Sequence, residues 1–173
     1  MKKMNIYFSV IIITIISFLI FSSERIYYDS DFFLDVGNQL DIKFIKYGEL
    51  YMKNKNSIIK KIDIELAYKT TEKINGLKYR SSLKEDQGML FILNQKEEYK
   101  KINMENMRIP IDIIYINQFN TVCFINKSVS PMRKIDIFNF SHSTIIKYVL
   151  EINAGMSDKW GIKNGVTNIF MDF

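Results

Sequence analysis

The 173-residue chain is poor in the residue types that most often announce chemistry. It has one cysteine, Cys123, and one histidine, His142. A lone cysteine excludes an internal disulfide framework and a multi-cysteine zinc site. A lone histidine excludes a histidine-rich metal centre, and no HExxH or calcium-loop pattern is present, so no metal is expected. The glycines form no phosphate-cradling loop, since Gly161 and Gly165 do not match any such spacing. No cofactor is implied. Alanine occurs only at Ala67 and Ala154, against many Ile, Tyr and Phe. That scarcity argues against a helical bundle and for β-structure, because branched and aromatic side chains suit a pleated surface. Charge of one sign is also scarce. The 24 basic and 19 acidic residues leave +5, and +3 once Lys2 and Lys3 are set aside. Basic pairs such as Lys60-Lys61 and Lys100-Lys101 are short and mixed with Asp and Glu. They read as solvated faces rather than a nucleic-acid surface.

The N-terminus carries what the rest lacks, a long uncharged run. Lys2 and Lys3 precede 20 uncharged residues, Met4 to Ser23, of which twelve are Ile, Val, Leu or Phe. As a helix the run would span about 30 Å, the thickness of a bilayer core. At roughly −0.3 to −0.6 kcal/mol for each apolar residue, insertion is favoured by about 4–7 kcal/mol before the polar residues are counted. Ser22 and Ser23 are small, but Ile20 and Phe21 fill the places where a cleavage site needs small residues. The expectation is an uncleaved single-pass membrane anchor, with secretion after signal cleavage as the alternative. Either way the basic start stays inside and the rest lies outside the cytoplasm, in the periplasmic sense. The chain then divides into residues 1–23 as anchor or signal peptide, 24–40 as linker and 41–173 as a β-rich domain.

Within that domain, 42–47 and 58–67 read as strands. In the second, Ile62, Ile64 and Leu66 alternate with Asp63 and Glu65. Residues 70–75 form a short helix stopped by Gly76. Residues 89–93 are a short buried run, and 99–104 a further strand. Residues 109–116 and 121–125 make a hairpin about the turn at 117–120. Residues 127–143 are a long loop, 147–152 a strand, 155–160 a short helix closed by Gly161, and 167–171 a last strand. The fold class is mainly β: one β-sandwich-like or partly open barrel domain with one or two short helices, preceded by the N-terminal apolar helix.

Asp112 is the most informative position. It lies in a strand apolar on both faces, with Ile114 and Ile116 on its own side and Ile111, Ile113 and Tyr115 on the other. It should therefore be at least partly buried, and a buried carboxylate needs a cation or several N–H donors. It is either a pocket carboxylate, for binding or acid–base work, or a structural group that ties down a loop. Arg80 could pair with Asp112 or grip an anionic or hydroxylated ligand. Asn106 sits in the loop before the central strand, where amides often satisfy backbone groups. Glu151 alternates onto the face of Lys147 and Val149, as a surface neighbour of lysine or a second carboxylate. Cys123 reads as a small core residue, and His142 as a solvated loop histidine rather than a general base.

Three blocks carry a family likeness. They are Gly76-Leu77-Lys78-Tyr79-Arg80 continuing to Gly88-Met89-Leu90-Phe91; Met104 through Ile113; and Tyr148-Val149-Leu150-Glu151-Ile152-Asn153-Ala154-Gly155 with Gly161 and Gly165 after it. In this order and spacing the chain resembles the bacterial and archaeal family catalogued as domain of unknown function 192, over roughly residues 58–170. The resemblance implies a β-sandwich-like domain with short helices, often behind a signal or anchor segment, and brings no activity with it. Asn103 and Glu105 stand where the family pattern places Trp and Lys, and Met132 where it places Cys. The matching polar positions Arg80, Asn106, Asp112 and Glu151 are the expected rim of a ligand pocket. Two functional classes follow, with a purely structural or interaction domain as a third. One is a membrane-tethered binding module for a small polar or cell-envelope ligand. The other is a hydrolase of glycans using Asp112 and Glu151, which needs the two carboxyls about 5–10 Å apart in one cleft.

Overall fold

The computed structural model describes residues 42–135, 140, 141 and 143–172, with Ser17 before them. The span expected at residues 4–23, the linker 24–40 and His142 lie outside the described residues. Among those described, no helix is long and apolar enough to cross a membrane. The strands are β1 (Gly48–Asn54), β2 (Ser57–Ala67), β3 (Gln87–Ile92), β4 (Ile111–Asn117), β5 (Val122–Val129), β6 (Ile146–Asn153) and β7 (Thr167–Asp172). Two short helices accompany them, α1 (Thr70–Asn75) and α2 (Met156–Lys159), with a 3-10 turn at Glu98–Lys101.

All seven strands belong to one sheet in the order β5-β4-β6-β3-β2-β1-β7. The domain is mainly β as expected, but its described residues form one sheet rather than a sandwich of two. The single open sheet curls until its edge strands touch at one bridge, Thr121 to Asn168. There the Ile169 N–H donates to the Asn120 carbonyl at 2.9 Å and the Gly165 N–H to that of Val122 at 2.7 Å. Pairing is antiparallel except between β2 and β3, which run parallel and are joined through α1. A parallel pair needs such a crossover, and this one carries the chain from Ala67 over the outer face of the sheet to Gln87.

Curling gives the sheet two apolar faces. Leu50, Ile62, Ile64, Leu90, Ile114 and Leu150 pack on the inner face. Met89, Phe91, Ile111, Ile113, Tyr115 and Val149 pack on the outer face beneath α1 and the loops. Strand β4 is buried on both faces, with Ile111, Ile113, Ile114 and Ile116 at 1% exposure or less. At about 1.5–3 kcal/mol for each buried side chain, those four isoleucines stabilise the fold by roughly 6–12 kcal/mol. At Gly88 a side chain would meet the Glu151 carbonyl oxygen at 3.0 Å, so β3 and β6 approach too closely there for anything larger than glycine.

Three local expectations are corrected. Residues 42–47 do not form the first strand. They lie against the outer face, where Phe44 packs on its core and the Ile45 N–H donates to the Glu65 carboxylate, and β1 starts at Gly48. Its own alternation places Gly48, Leu50 and Met52 inward. Residues 99–104 are not a strand either. The Glu98 carboxylate accepts the N–H groups of Asn94 and Gln95 at 2.7 and 3.3 Å, which turns the chain into the 3-10 helix and buries Tyr99. The loop expected from residue 127 begins later, because β5 runs through Val129 by way of an irregularity at Ser128, whose φ is +50°.

Candidate functional site

Cross-strand register assembles a short polar row on the outer face. Glu65 of β2 pairs with Met89 of β3, Met89 with Glu151 of β6, and Glu151 with Ile113 of β4. Paired residues share a face, so two carboxyls flank Met89 on the buried side of the sheet. Glu65 is 6% exposed and Glu151 4%. Sequence alternation placed Glu65 among outward-facing polar residues. The turn Gly76–Arg80 and the segment 42–47 cover it instead, and Ala67, two residues on, was the available sign of a covered end.

The covering turn is held at several points. Gly76 ends α1 with φ +50°, its N–H donating to the Glu72 carbonyl at 2.8 Å. Leu77 packs into the outer-face core. Tyr79 takes φ +64°, uncommon for a tyrosine, and its N–H donates to the Asn106 carbonyl at 3.0 Å. Arg80 turns inward and grips Glu65 with both terminal nitrogens, one at 3.2 Å. Its Nε is buried without a partner among the described residues. The expected partner for Arg80, Asp112, is on the other side of the sheet.

Glu151 has no such clamp. Among the described residues nothing hydrogen-bonds its carboxyl, and burial pushes its pKa up to about 8, with Lys78 pulling the other way. It is therefore a neutral acid near pH 7, able to donate an O–H. The expectation of a surface glutamate beside lysine is corrected: the covering turn removes it from water. Glu151 lies at the wall of a cavity of about 350 Å³, between α1, the covering turn, the end of β3 and the 3-10 turn. Ile74, Leu77, Phe91, Leu93, Ile102 and Met107 make its sides mostly apolar, and Lys73, Lys78, Lys101 and Glu98 add charge. Lys73 and Glu98 neutralise one another at 2.9 Å. A concave, mainly apolar volume with a few convergent polar groups and a displaced pKa is the usual form of a small-molecule site.

Asp112 serves a different purpose. It is fully buried on the inner-face side of β4. Its oxygens accept backbone N–H groups from Ser128 at 2.7 Å, Gly155 at 3.1 Å and Ser157 at 2.8 Å. These bonds fix the irregularity of β5 and the start of α2. Three N–H donors compensate a buried carboxylate, so Asp112 is the structural tie foreseen as one of its two readings. Register settles the carboxylate pair. Asp112 faces Ile152 and Glu151 faces Ile113, so the two acids project from opposite faces and share no cleft. The two-carboxylate arrangement required by a glycan hydrolase is not formed.

Asn106 takes a left-handed turn conformation, φ +59°. It acts through its backbone, receiving the Tyr79 N–H and donating to the Met132 sulfur at 3.2 Å. Of the four expected rim residues, only Glu151 lines the cavity. Arg80 lies on the same face across Met89, Asn106 steadies the cover from outside, and Asp112 is remote. Burial pushes the Cys123 thiol up to about 11, and its Sγ donates to the Tyr115 carbonyl at 3.2 Å, which leaves no reactive thiolate. Among the described residues no three His, Cys, Asp or Glu side chains gather into a metal-sized group.

The family model of domain of unknown function 192, described as "uncharacterized ACR", matches residues 51–168. A solved structure from Sinorhizobium meliloti, of a protein described only as a candidate transcription regulator, aligns with TM-score 0.62 at 23% identity, covering 76% of this chain and 97% of its own. A protein of unknown function from Novosphingobium aromaticivorans aligns with TM-score 0.59 at 25% identity, covering 70% and 83%. No curated protein matches the sequence.

Proposed function

We propose that this chain, which belongs to the uncharacterised family of domain of unknown function 192, is a binding module whose small-molecule ligand enters the Glu151 cavity. One observation carries the reading. Glu151, a residue only 4% exposed whose carboxyl has no hydrogen-bond partner among the described residues, lines a mainly apolar cavity of about 350 Å³. An unpaired buried polar group costs the fold free energy, and a ligand that accepts its hydrogen bond recovers it. The apolar sides favour a molecule with an apolar body over a free sugar. In this reading residues 4–23 tether the domain to the membrane and present it outside the cytoplasm, where envelope-derived molecules are within reach.

The test is thermal unfolding of the full-length protein against a panel of envelope fragments and small amphipathic molecules, repeated with Ile102→Trp, which narrows the cavity. A ligand at 100 times its dissociation constant adds about 2.7 kcal/mol, several degrees for a domain of this size. A shift in the wild type that Ile102→Trp abolishes supports the reading. A ligand whose shift is the same in both proteins refutes the cavity as the site. Protease accessibility of the domain in intact cells and spheroplasts tests the tether separately.

A further inference from the structure

The charges around the cavity select a ligand class, an inference that rests on the binding reading above. We propose that the ligand is a small monoanionic organic acid, its carboxylate accepting the Glu151 O–H and facing the Lys78 ammonium, its aliphatic or aromatic body against Ile74, Leu77 and Phe91.

Charged and titratable groups face Glu151 from several elements. From α1 comes Lys73 and from the 3-10 turn Glu98, which cancel one another at 2.9 Å. From the covering turn comes Lys78, the one charge that acts appreciably on Glu151. From the end of the 3-10 turn comes Lys101, which lines the same cavity. On β4 the Tyr115 phenol is held neutral, pushed up to about 12 mainly by its burial. On β2, beyond Met89, Glu65 is bound by Arg80. Among the described residues neither Lys78 nor Lys101 has a carboxylate within ion-pair reach.

A visiting molecule therefore meets one O–H donor, two cations and apolar sides. A cation is repelled by Lys78 and Lys101, and a neutral molecule leaves both unanswered. A strongly hydrated dianion gains nothing from the apolar sides. A monocarboxylate satisfies all three, because an acid and a carboxylate can share one proton in a dry site. The cavity holds about a dozen water-sized groups, which limits the body to a single ring or a short branched chain.

The arrangement couples binding to pH. While Glu151 holds its proton it donates to the ligand. Once ionised it opposes the ligand with a second negative charge in a low-dielectric volume. Affinity for the acid is therefore level through neutral pH, falls by up to about tenfold per pH unit once the free-state titration of Glu151 near 8 is passed, and levels off above the bound-state one. Glu151→Gln keeps an N–H donor at the same place, so it retains binding within a few-fold and loses the alkaline decline. Lys78→Met weakens binding about tenfold at every pH.

The experiment is an NMR titration of the full-length protein with labelled Ile, Leu and Val methyls, followed at Ile74, Leu77 and Leu93. The probes are benzoate, benzamide and benzylamine at several pH values. The expected result is saturable shifts with benzoate tightest, an alkaline decline in the wild type and none in Glu151→Gln. Tighter binding of benzamide or benzylamine than of benzoate overturns the acid while leaving the cavity a binding site. An unchanged alkaline decline in Glu151→Gln overturns the role of Glu151. Methyls that no probe moves at millimolar concentration overturn the acid and the binding reading together.

Discussion

Glu151→Gln isolates one proton. In the folded protein the Glu151 carboxyl titrates at about 8 against an ordinary value of 4.5. Between those values the folded state holds a proton that the unfolded chain has released, so unfolding becomes easier as pH rises and the contribution levels off above about 8. The slope is at most about 1.4 kcal/mol per pH unit. Glutamine is neutral in both states. The variant should match the wild type at pH 4, exceed it by roughly 2 kcal/mol at pH 6 and by roughly 4 kcal/mol at pH 8. At about 3–5 °C per kcal/mol for this size, the gap is large enough for thermal or urea unfolding to resolve. Groups elsewhere act on both proteins. Glu49, lowered to about 2 chiefly by Lys46 and then by Lys61, gives a slope of opposite sign below its ordinary pKa, and the difference curve cancels it. A flat difference between pH 5 and 8, or a variant less stable than the wild type throughout, refutes a neutral buried Glu151.

Further outcomes follow from the same geometry. Arg80→Met leaves Glu65 buried without its cation and should lower stability by about 3–5 kcal/mol in urea unfolding, while adding Glu65→Leu should recover most of the loss. If the double variant is no better than the single, the pair is not the buried unit described here. Asp112→Asn turns an acceptor of three N–H groups into a side chain with one acceptor oxygen, at a cost of roughly 3 kcal/mol. Hydrogen exchange should then rise at Ser128, Gly155 and Ser157, and unchanged protection there contradicts the tie. Gly88→Ala sets a methyl 3.0 Å from the Glu151 carbonyl oxygen and should cost about 1–3 kcal/mol. Wild-type stability in that variant would mean β3 and β6 stand farther apart.

The sequence made the strand periodicity readable and left the covering elements hidden. Alternation in 62–66 and two-sided apolarity in 111–116 identified β2 and β4, because burial on one or both faces leaves a local pattern. It also forced Asp112 inside, and the need for N–H donors foretold its structural alternative. Strand β1 was missed because Gly48, Glu49, Lys53 and Asn54 dilute an alternation carried only by Leu50 and Met52. Glu65 and Glu151 looked solvated because their cover comes from Gly76–Arg80, a turn whose position depends on the parallel crossing from β2 to β3. For Arg80 the sequence offers Asp112 or a ligand as partner, and cross-strand register supplies Glu65 instead. The cavity itself has no local signature, since its sides come from five separate stretches of chain.

On the proposed reading Glu151 is a neutral acid at neutral pH, and a ligand enters its cavity. The most direct measurement is the pH titration of its side-chain carboxyl carbon by NMR, assigned through Glu151→Gln, with and without benzoate. The expected midpoint is near 8 and rises when benzoate is bound. A midpoint near 4.5, unmoved by benzoate, would contradict it.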